Sequence, residues 1–265
     1  MRFLFISTLF PNSVNPTRAL YNLRHLTALR TLGHSVDIIA PVPWFPGLSL
    51  LGRAYPPKHE RYEGFEVSHP RFVAPPRTWV HKHHLFYRRA VAPVLEAWIR
   101  ENWKSVSRES LSVISDQVKP PTSDLHPSAP APCALSSELE TGGAFRLKPV
   151  HQQAATNNEQ PTTKNLEPKS DDLHVIIGFA YPDAVAMTPV CESLGLDYSI
   201  FVLGSDFRLR VKQPAFADGV MKTLAAAPRI FCPGRALRGD MVSAGLDAEK
   251  IFSFNNGVDT AMFHP

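Results

Sequence analysis

The 265-residue sequence predicts an α/β fold organised on one doubly wound parallel sheet. Three observations lead there. Short apolar runs lack polar alternation, as strands buried on both faces require. Helical spacing separates those runs, and Gly or Pro punctuates most of the junctions. Residues 1–43 show all three at once.

Phe3, Leu4, Phe5 and Ile6 form the first expected strand, which stops at Ser7 and Thr8. The loop from Phe10 to Arg18 is rich in turn formers. Asn15 is the expected N-cap and Pro16 the first helical residue, where its missing N–H costs nothing. Leu20, Leu23, Leu26, Leu29 and Leu32 then mark roughly one face of a helix, with Gly33 as its left-handed terminator. His34 to Ala40 is the second strand, closed by Pro41 and Pro43. A crossover of this kind is right-handed. In such sheets ligands bind beyond the carboxyl ends of the strands. The Ser7 to Arg18 loop is therefore the first place where chemistry is expected.

Residues 41–47 form a stiff aromatic loop with two open readings, a packed surface loop or a wall of an acceptor site. Tyr62 to His69 suggests a turn and a short alternating strand. Between residues 77 and 104 the chain turns aromatic and basic, with Arg77, Trp79, His81, Lys82, His83, His84, Phe86, Tyr87, Arg88 and Arg89. Val91, Val94, Leu95 and Trp98 continue at helical spacing, with Pro93 starting or kinking the helix. Three readings compete here. One is a solvated basic face on a core helix. Another is contact with an anionic membrane surface through Trp79, Lys82, Arg88 and Arg89. The third, metal binding by His81, His83 and His84, lacks an acid or cysteine to complete the set, and no metal is expected.

Residues 104–172 are Ser-, Thr-, Pro-, Asn- and Gln-rich, with Phe145 as the sole aromatic. Such a segment cannot bury enough apolar surface to offset its ordering entropy, so disorder is expected. It reads as an insertion within one domain, whose two parts are residues 1–103 and 173–254, with 255–265 as an interdomain hinge. Past it the alternation resumes. Residues 173–179 are a strand, and Ala180, Tyr181, Pro182 and Asp183 its terminal loop. A helix over 184–194 precedes a strand over 198–203 and a polar turn, Gly204, Ser205 and Asp206. Helices over 214–227 and 236–244 and strands over 229–232 and 251–254 complete the pattern.

A net charge of +4 and an isoelectric point near 9.0 fit phosphate-bearing or membrane-surface partners. Cys133, Cys191 and Cys232 are widely spaced and form no CxxC, which favours a reducing compartment. The N-terminal apolar run ends in Phe10, Pro11 and Asn12, not in small cleavable residues, so it reads as a strand and not as a signal peptide. No apolar stretch nears the ~18 residues of a membrane span. The expected location is cytoplasmic, peripheral on an inner membrane surface. No GxGxxG follows the first strand and no acid ends the second, which argues against a dinucleotide cofactor. P-loop and GxSxG motifs are absent as well. What is left for phosphate is a helix N-terminus behind the first loop, with Arg18 as a charge partner. No nucleic-acid partner is expected.

Six stretches, in order, resemble family 4 glycosyltransferases, most closely those that build surface and capsular polysaccharides. They are Phe10-Pro11-Asn12 with Asn15-Pro16-Thr17-Arg18, the Gly33-His34 pair, the 41–47 loop, Ala180-Tyr181-Pro182-Asp183, Leu203-Gly204-Ser205-Asp206, and Asn256-Gly257-Val258-Asp259 with Phe263 and Pro265. The resemblance implies the N-terminal, Rossmann-like half of a GT-B fold and a retaining transfer driven by positioning and leaving-group electrostatics. It implies a sugar nucleotide as donor substrate, no cofactor, and a sugar or lipid-linked sugar as acceptor. A donor-binding domain is expected where this sequence stops. Asn15, Thr17 and Arg18 would line the cleft near the donor phosphates, and Tyr181, Asp183, Ser205 and Asp206 would contact the acceptor. Asp183 as a turn former and Asp206 as an N-cap are equally open readings. Leu203 stands where the family has His, Ala19 where Gly often follows the Arg, and Pro233-Gly234 where a Ser-containing step is usual. Two alternatives therefore stay open: a binding module that keeps the fold without catalysis, and another nucleotide-dependent α/β enzyme.

Overall fold

The computed structural model describes residues 1–45, 52, 54–75, 79–103 and 173–257, all within one compact unit. The 104–172 stretch, Arg77, and residues 258–265 of the expected hinge lie outside the described residues.

Strand β1 (Arg2–Ile6) sits at the centre of an eight-stranded sheet. On one side it pairs with β2 (Ser35–Ile39), on the other with β7 (Leu173–Gly178), both parallel and in register over five residues. Beyond β7 come β8 (Asp197–Phe201), β9 (Ile230–Pro233) and β10 (Ile251–Phe254), again parallel. Beyond β2 come β5 (Phe65–Ser68) and, at the edge, β4 (His59–Tyr62). β4 runs antiparallel to β5, so the sheet is mostly parallel. The hairpin follows from Glu63 and Gly64, whose φ values of 49° and 79° are those of a primed turn. β3 (Val42–Trp44), inside the loop expected at 41–47, pairs with β6 (Arg71–Val73) in a separate two-stranded parallel sheet. Pro41 before it and Pro43 within it hide it, because proline is confined to short or edge strands.

Alternate residues of the central strands supply two cores. Leu4, Ile6, Val175 and Ile177 pack with Tyr87, Val91, Leu95 and Ile99 of α2 (His83–Asn102). α3 (Val185–Ser193), α5 (Pro214–Ala226) and α6 (Arg235–Ser243) join the same core through Met187, Leu224 and Met241. Phe5, Ile38 and Ile176 face the other way, against Leu26 of α1 (Leu20–Thr31), Phe10 and Phe65. Each fully buried Leu, Ile or Phe contributes about 2 kcal/mol, which favours strands buried on both faces. The architecture is the doubly wound, Rossmann-like α/β sheet that the alternation predicts.

Two local expectations need correction. Helix α1 begins at Leu20, not at Pro16, and Ala19 before it is left-handed at φ 51°. Asn12, not Asn15, is the capping side chain of this loop: its Oδ1 accepts the N–H groups of Val14 and Asn15 at 3.0 and 2.8 Å. A tight turn thus precedes residues 16–19, which are themselves turn where a helix was expected. The five leucines also do not share a face. Steps of three residues advance about 300°, so the series winds round the helix. Leu26 is buried, whereas Leu20 and Leu32 are 40% and 73% exposed.

Candidate functional site

Three loops converge at the carboxyl ends of β1, β7 and β8, and two aspartates tie them together. Asp183 follows β7 in a π-helical turn, Ala180–Ala184, entered through a cis Tyr181–Pro182 bond. Its carboxyl group is wholly buried. It accepts the Thr8 N–H at 2.8 Å and the Thr8 hydroxyl at 3.1 Å, bracing the β7 loop against the β1 loop. Ser7 adds a second tie: its hydroxyl donates to the Gly178 carbonyl and accepts the Leu9 N–H. Asp206 lies in α4 (Ser205–Arg208), a single helical turn where the sequence suggested only a polar turn. One of its oxygens accepts Ala180 N–H at 2.7 Å, the other Leu203 and Gly204 N–H at 3.0 and 2.8 Å. It thereby fixes the β7 and β8 loops to each other.

Burial pushes the Asp183 carboxyl up to about 8, despite the hydrogen bonds from Thr8 that favour its anion, and the neighbouring Asp206 adds to the rise. Burial raises Asp206 too, against its backbone donors. Tyr181 is buried beneath this edge. Its hydroxyl donates to the Val80 carbonyl, and its ring meets Phe216 edge-on at 4.8 Å. Arg210 lies over both rings, 5.5 Å from Tyr181 and 4.3 Å from Phe216. Burial, only partly opposed by Arg210, pushes the Tyr181 hydroxyl up to about 12.

The expected site residues therefore divide into two layers. Asn15, Thr17 and Ser205 are exposed and Arg18 is half-exposed, on the surface of the edge. Tyr181, Asp183 and Asp206 lie underneath, their polar atoms already engaged by protein groups. Tyr21 links the layers. Burial raises its hydroxyl, Asp206 adds to the rise and Arg18 opposes it, so all three are within electrostatic reach. The sequence places Ser7 and Thr8 at the start of the loop where chemistry is expected but assigns them no role, and it does not single out Tyr21 or Arg210.

The basic segment also divides. Tyr87, grouped with the aromatics of the membrane reading, is fully buried against Phe72 at 5.2 Å. Trp79 is 54% exposed and stacks near Phe86, and Lys82 and Arg89 are exposed beside it, with Arg88 half-buried. Burial lowers His84. Among the described residues no group of three or more His, Cys, Asp or Glu is placed to hold a metal ion, and no helix is long and apolar enough to cross a membrane.

Away from this edge, His174 Nδ1 lies 2.8 Å from Asp197 and its Nε2 lies 2.9 Å from Ser199 Oγ. The order mimics a hydrolytic triad. Yet Ser199 is buried in the interior of a strand flanked by two others, away from the loops at the carboxyl edge. It is a cross-strand brace. Ser199 and His174 also line an apolar cleft of about 450 Å³ on the α1 face, with Phe5, Phe201 and Phe254.

The fold and this edge define a mixed α/β protein with a mostly parallel eight-stranded sheet and loops gathered at its carboxyl edge. No family model matches the chain, and no curated protein matches it. A solved structure, the UDP-GlcNAc 2-epimerase from Methanocaldococcus jannaschii, is similar over 97% of this chain, with 10% identity and a TM-score of 0.45. The chain spans 46% of that structure's length.

Proposed function

We propose that the chain is the acceptor-binding part of a retaining, sugar-nucleotide-dependent glycosyltransferase acting in polysaccharide or glycolipid synthesis. The observation that supports this reading is the convergence at one edge of the three loops carrying the resemblance: residues 10–18, 180–183 and 203–206. Asp183 and Asp206 hold these loops in a fixed relation. In this reading Arg18, Thr17 and Asn15 face the donor diphosphate, and Ser205 contacts the acceptor hydroxyls. Tyr181, Asp183 and Asp206 act from below as positioning residues. A donor-binding domain, in this protein or a separate one, faces the same edge. The exposed Trp79, Lys82 and Arg89, with Arg88, rest on an anionic membrane and bring the edge to a lipid-linked acceptor.

The test is sugar transfer from a nucleotide donor with the chain paired to a donor-binding domain, comparing wild type with Arg18→Gln and Ser205→Ala. Transfer reduced at least about tenfold in Arg18→Gln, with the fold unchanged, supports the assignment. Transfer indifferent to both substitutions overturns it.

A second reading, a non-catalytic binding module on the same fold, is favoured by Leu203, whose backbone N–H serves Asp206 while its side chain offers no polar group to a ligand. Binding of an acceptor glycan without any transfer in the paired assay would select it.

A further inference from the structure

We propose a second ligand site, for a phosphate ester, in a cleft of about 330 Å³ between the β4–β5 hairpin, β6 and α2. Lys58, His59, Ser68, His69, Arg71 and Val94 line it. The volume is at the lower end of small-molecule sites, enough for a phosphoryl group with a small polyol attached.

The chemistry of the lining is one-sided. Lys58 and Arg71 bring two full positive charges, and among the described residues neither forms an ion pair. The nearby carboxylate is already engaged. Glu60 Oε1 lies 2.8 Å from His69 Nε2 and accepts the Ser13 N–H at 3.3 Å, while His69 Nδ1 faces the Ala40 carbonyl at 2.8 Å. Among the described residues that line the cleft none is acidic.

Arg71 and His59 are also held in place. Arg71 gives one long hydrogen bond to the Pro56 carbonyl, 3.4 Å, and lies 5.3 Å from the centre of the Tyr55 ring. Those contacts restrain the guanidinium and leave most of its five N–H donors for a ligand. His59 Nδ1 meets Ser68 Oγ at 3.1 Å, which orients the ring and leaves Nε2 as its other hydrogen-bonding atom. Two cations and a histidine edge around a concavity suit a compact multivalent anion with tetrahedral oxygens, because each oxygen accepts a charge-assisted bond. A solvated basic surface would not need a concave site or oriented donors.

The cleft neighbours the carboxyl edge. His59 begins β4, which runs antiparallel to its neighbour, and Ser68 ends β5, so both lie at the sheet end that carries the loop of residues 10–18. The Glu60–Ser13 hydrogen bond and the Tyr62 hydroxyl on Pro16 O, 3.4 Å, connect the hairpin to that loop. The ligand is a phosphate ester of a small polyol, either free in solution or as a lipid headgroup. The site does not depend on the glycosyl-transfer reading.

The experiment titrates the chain with glycerol 3-phosphate at constant ionic strength, following backbone and histidine ring resonances by NMR. Wild type binds saturably with a Kd of about 1–10 mM, shifting His59 and Arg71 signals. Lys58→Gln and Arg71→Gln each weaken binding by about fivefold or more, while Arg61→Gln, on the same hairpin outside the cleft, leaves it unchanged. Lys58 is an exposed side chain whose replacement leaves the fold intact, so the test survives if Arg71→Gln unfolds. A second arm measures sedimentation with phosphatidylglycerol vesicles. If Lys58→Gln also lowers that sedimentation, the ligand is a lipid headgroup; if only glycerol 3-phosphate binding falls, it is a free ester. Both results support the site. No saturable binding by wild type, or equal binding by wild type and Lys58→Gln, overturns it.

Discussion

Asp183 and Asp197 stand at opposite ends of the same sheet, one in the turn after β7 and the other at the start of β8, and their carboxyl groups are held in opposite ways. Asp183, at the carboxyl end of β7, is sealed from water and accepts only neutral donors. Asp197, at the amino end of β8, is half-exposed and meets Arg229 at 3.0 Å and His174 at 2.8 Å. Burial raises Asp183 to about 8. For Asp197 burial also raises the pKa, but hydrogen bonds and charge from His174 and Arg229 outweigh it and hold the group below its ordinary range. Desolvation decides where no cation is present, and cations decide where water screens the cost. The sheet end with the buried, raised carboxyl is also the one carrying the loops of the proposed site, as expected where loops must be held rigidly around a ligand.

The largest effect is expected at Asp183. Replacing it with Ala leaves the Thr8 N–H and hydroxyl without their acceptor inside the core, at a cost of about 3 kcal/mol in urea unfolding. Asp183→Asn keeps an acceptor and costs about 1 kcal/mol at pH 6. It also changes the pH profile. With its folded pKa above the unfolded one, Asp183 gives stability that is present below about pH 4 and is lost as pH rises towards 8. The Asn variant should lose this decline. If wild type and Asp183→Asn fall in parallel between pH 4 and 8, the raised carboxyl is not the cause.

A smaller effect is expected next door. A Cβ on Gly178 would lie 2.7 and 2.9 Å from ring carbons of Phe5 and 3.0 Å from Ser7 Cβ. Gly178→Ala should therefore cost about 2 kcal/mol by overpacking and disturb the Ser7 tie, seen as a lower urea midpoint with unchanged m. The smallest effect belongs to Asp197. Asp197→Asn should cost under about 1 kcal/mol, since the pair is solvent-screened. Here the sign reverses. A depressed carboxyl contributes stability above its unfolded pKa and loses it as pH falls through the folded one. The cost should therefore be read near pH 7, shrink on acidification, and shrink again in high salt. A loss that grows with salt would contradict the ion-pair account.

How much of this was legible beforehand depends on the residue. Ile251 to Phe254 was expected as a strand and is one, because an apolar run between turn residues has little else to do. Asn15 does not cap the helix: Asn12 closes a turn on the N–H groups of Val14 and Asn15, and the helix starts only at Leu20. Tyr87 could not be told apart from Trp79 and Phe86 by composition. Only its position on α2, facing Phe72, puts it inside.

Local chemistry in the sequence determined the alternation of strands and helices, the parallel sheet with helices on both faces, and the loops where a ligand would meet it. Those follow from hydrophobic period and turn propensity, which act over a few residues. The tertiary structure alone decided that β7, far along the chain, lies beside β1, so that Thr8 and Asp183 share a hydrogen bond across 175 residues of sequence. It also decided that the aspartates of the resemblance face inward as braces while Thr17, Arg18 and Ser205 remain at the surface. The physical reason is desolvation: whether a carboxyl contacts a ligand or a backbone amide depends on what the rest of the chain places around it, and nothing in its local sequence states that.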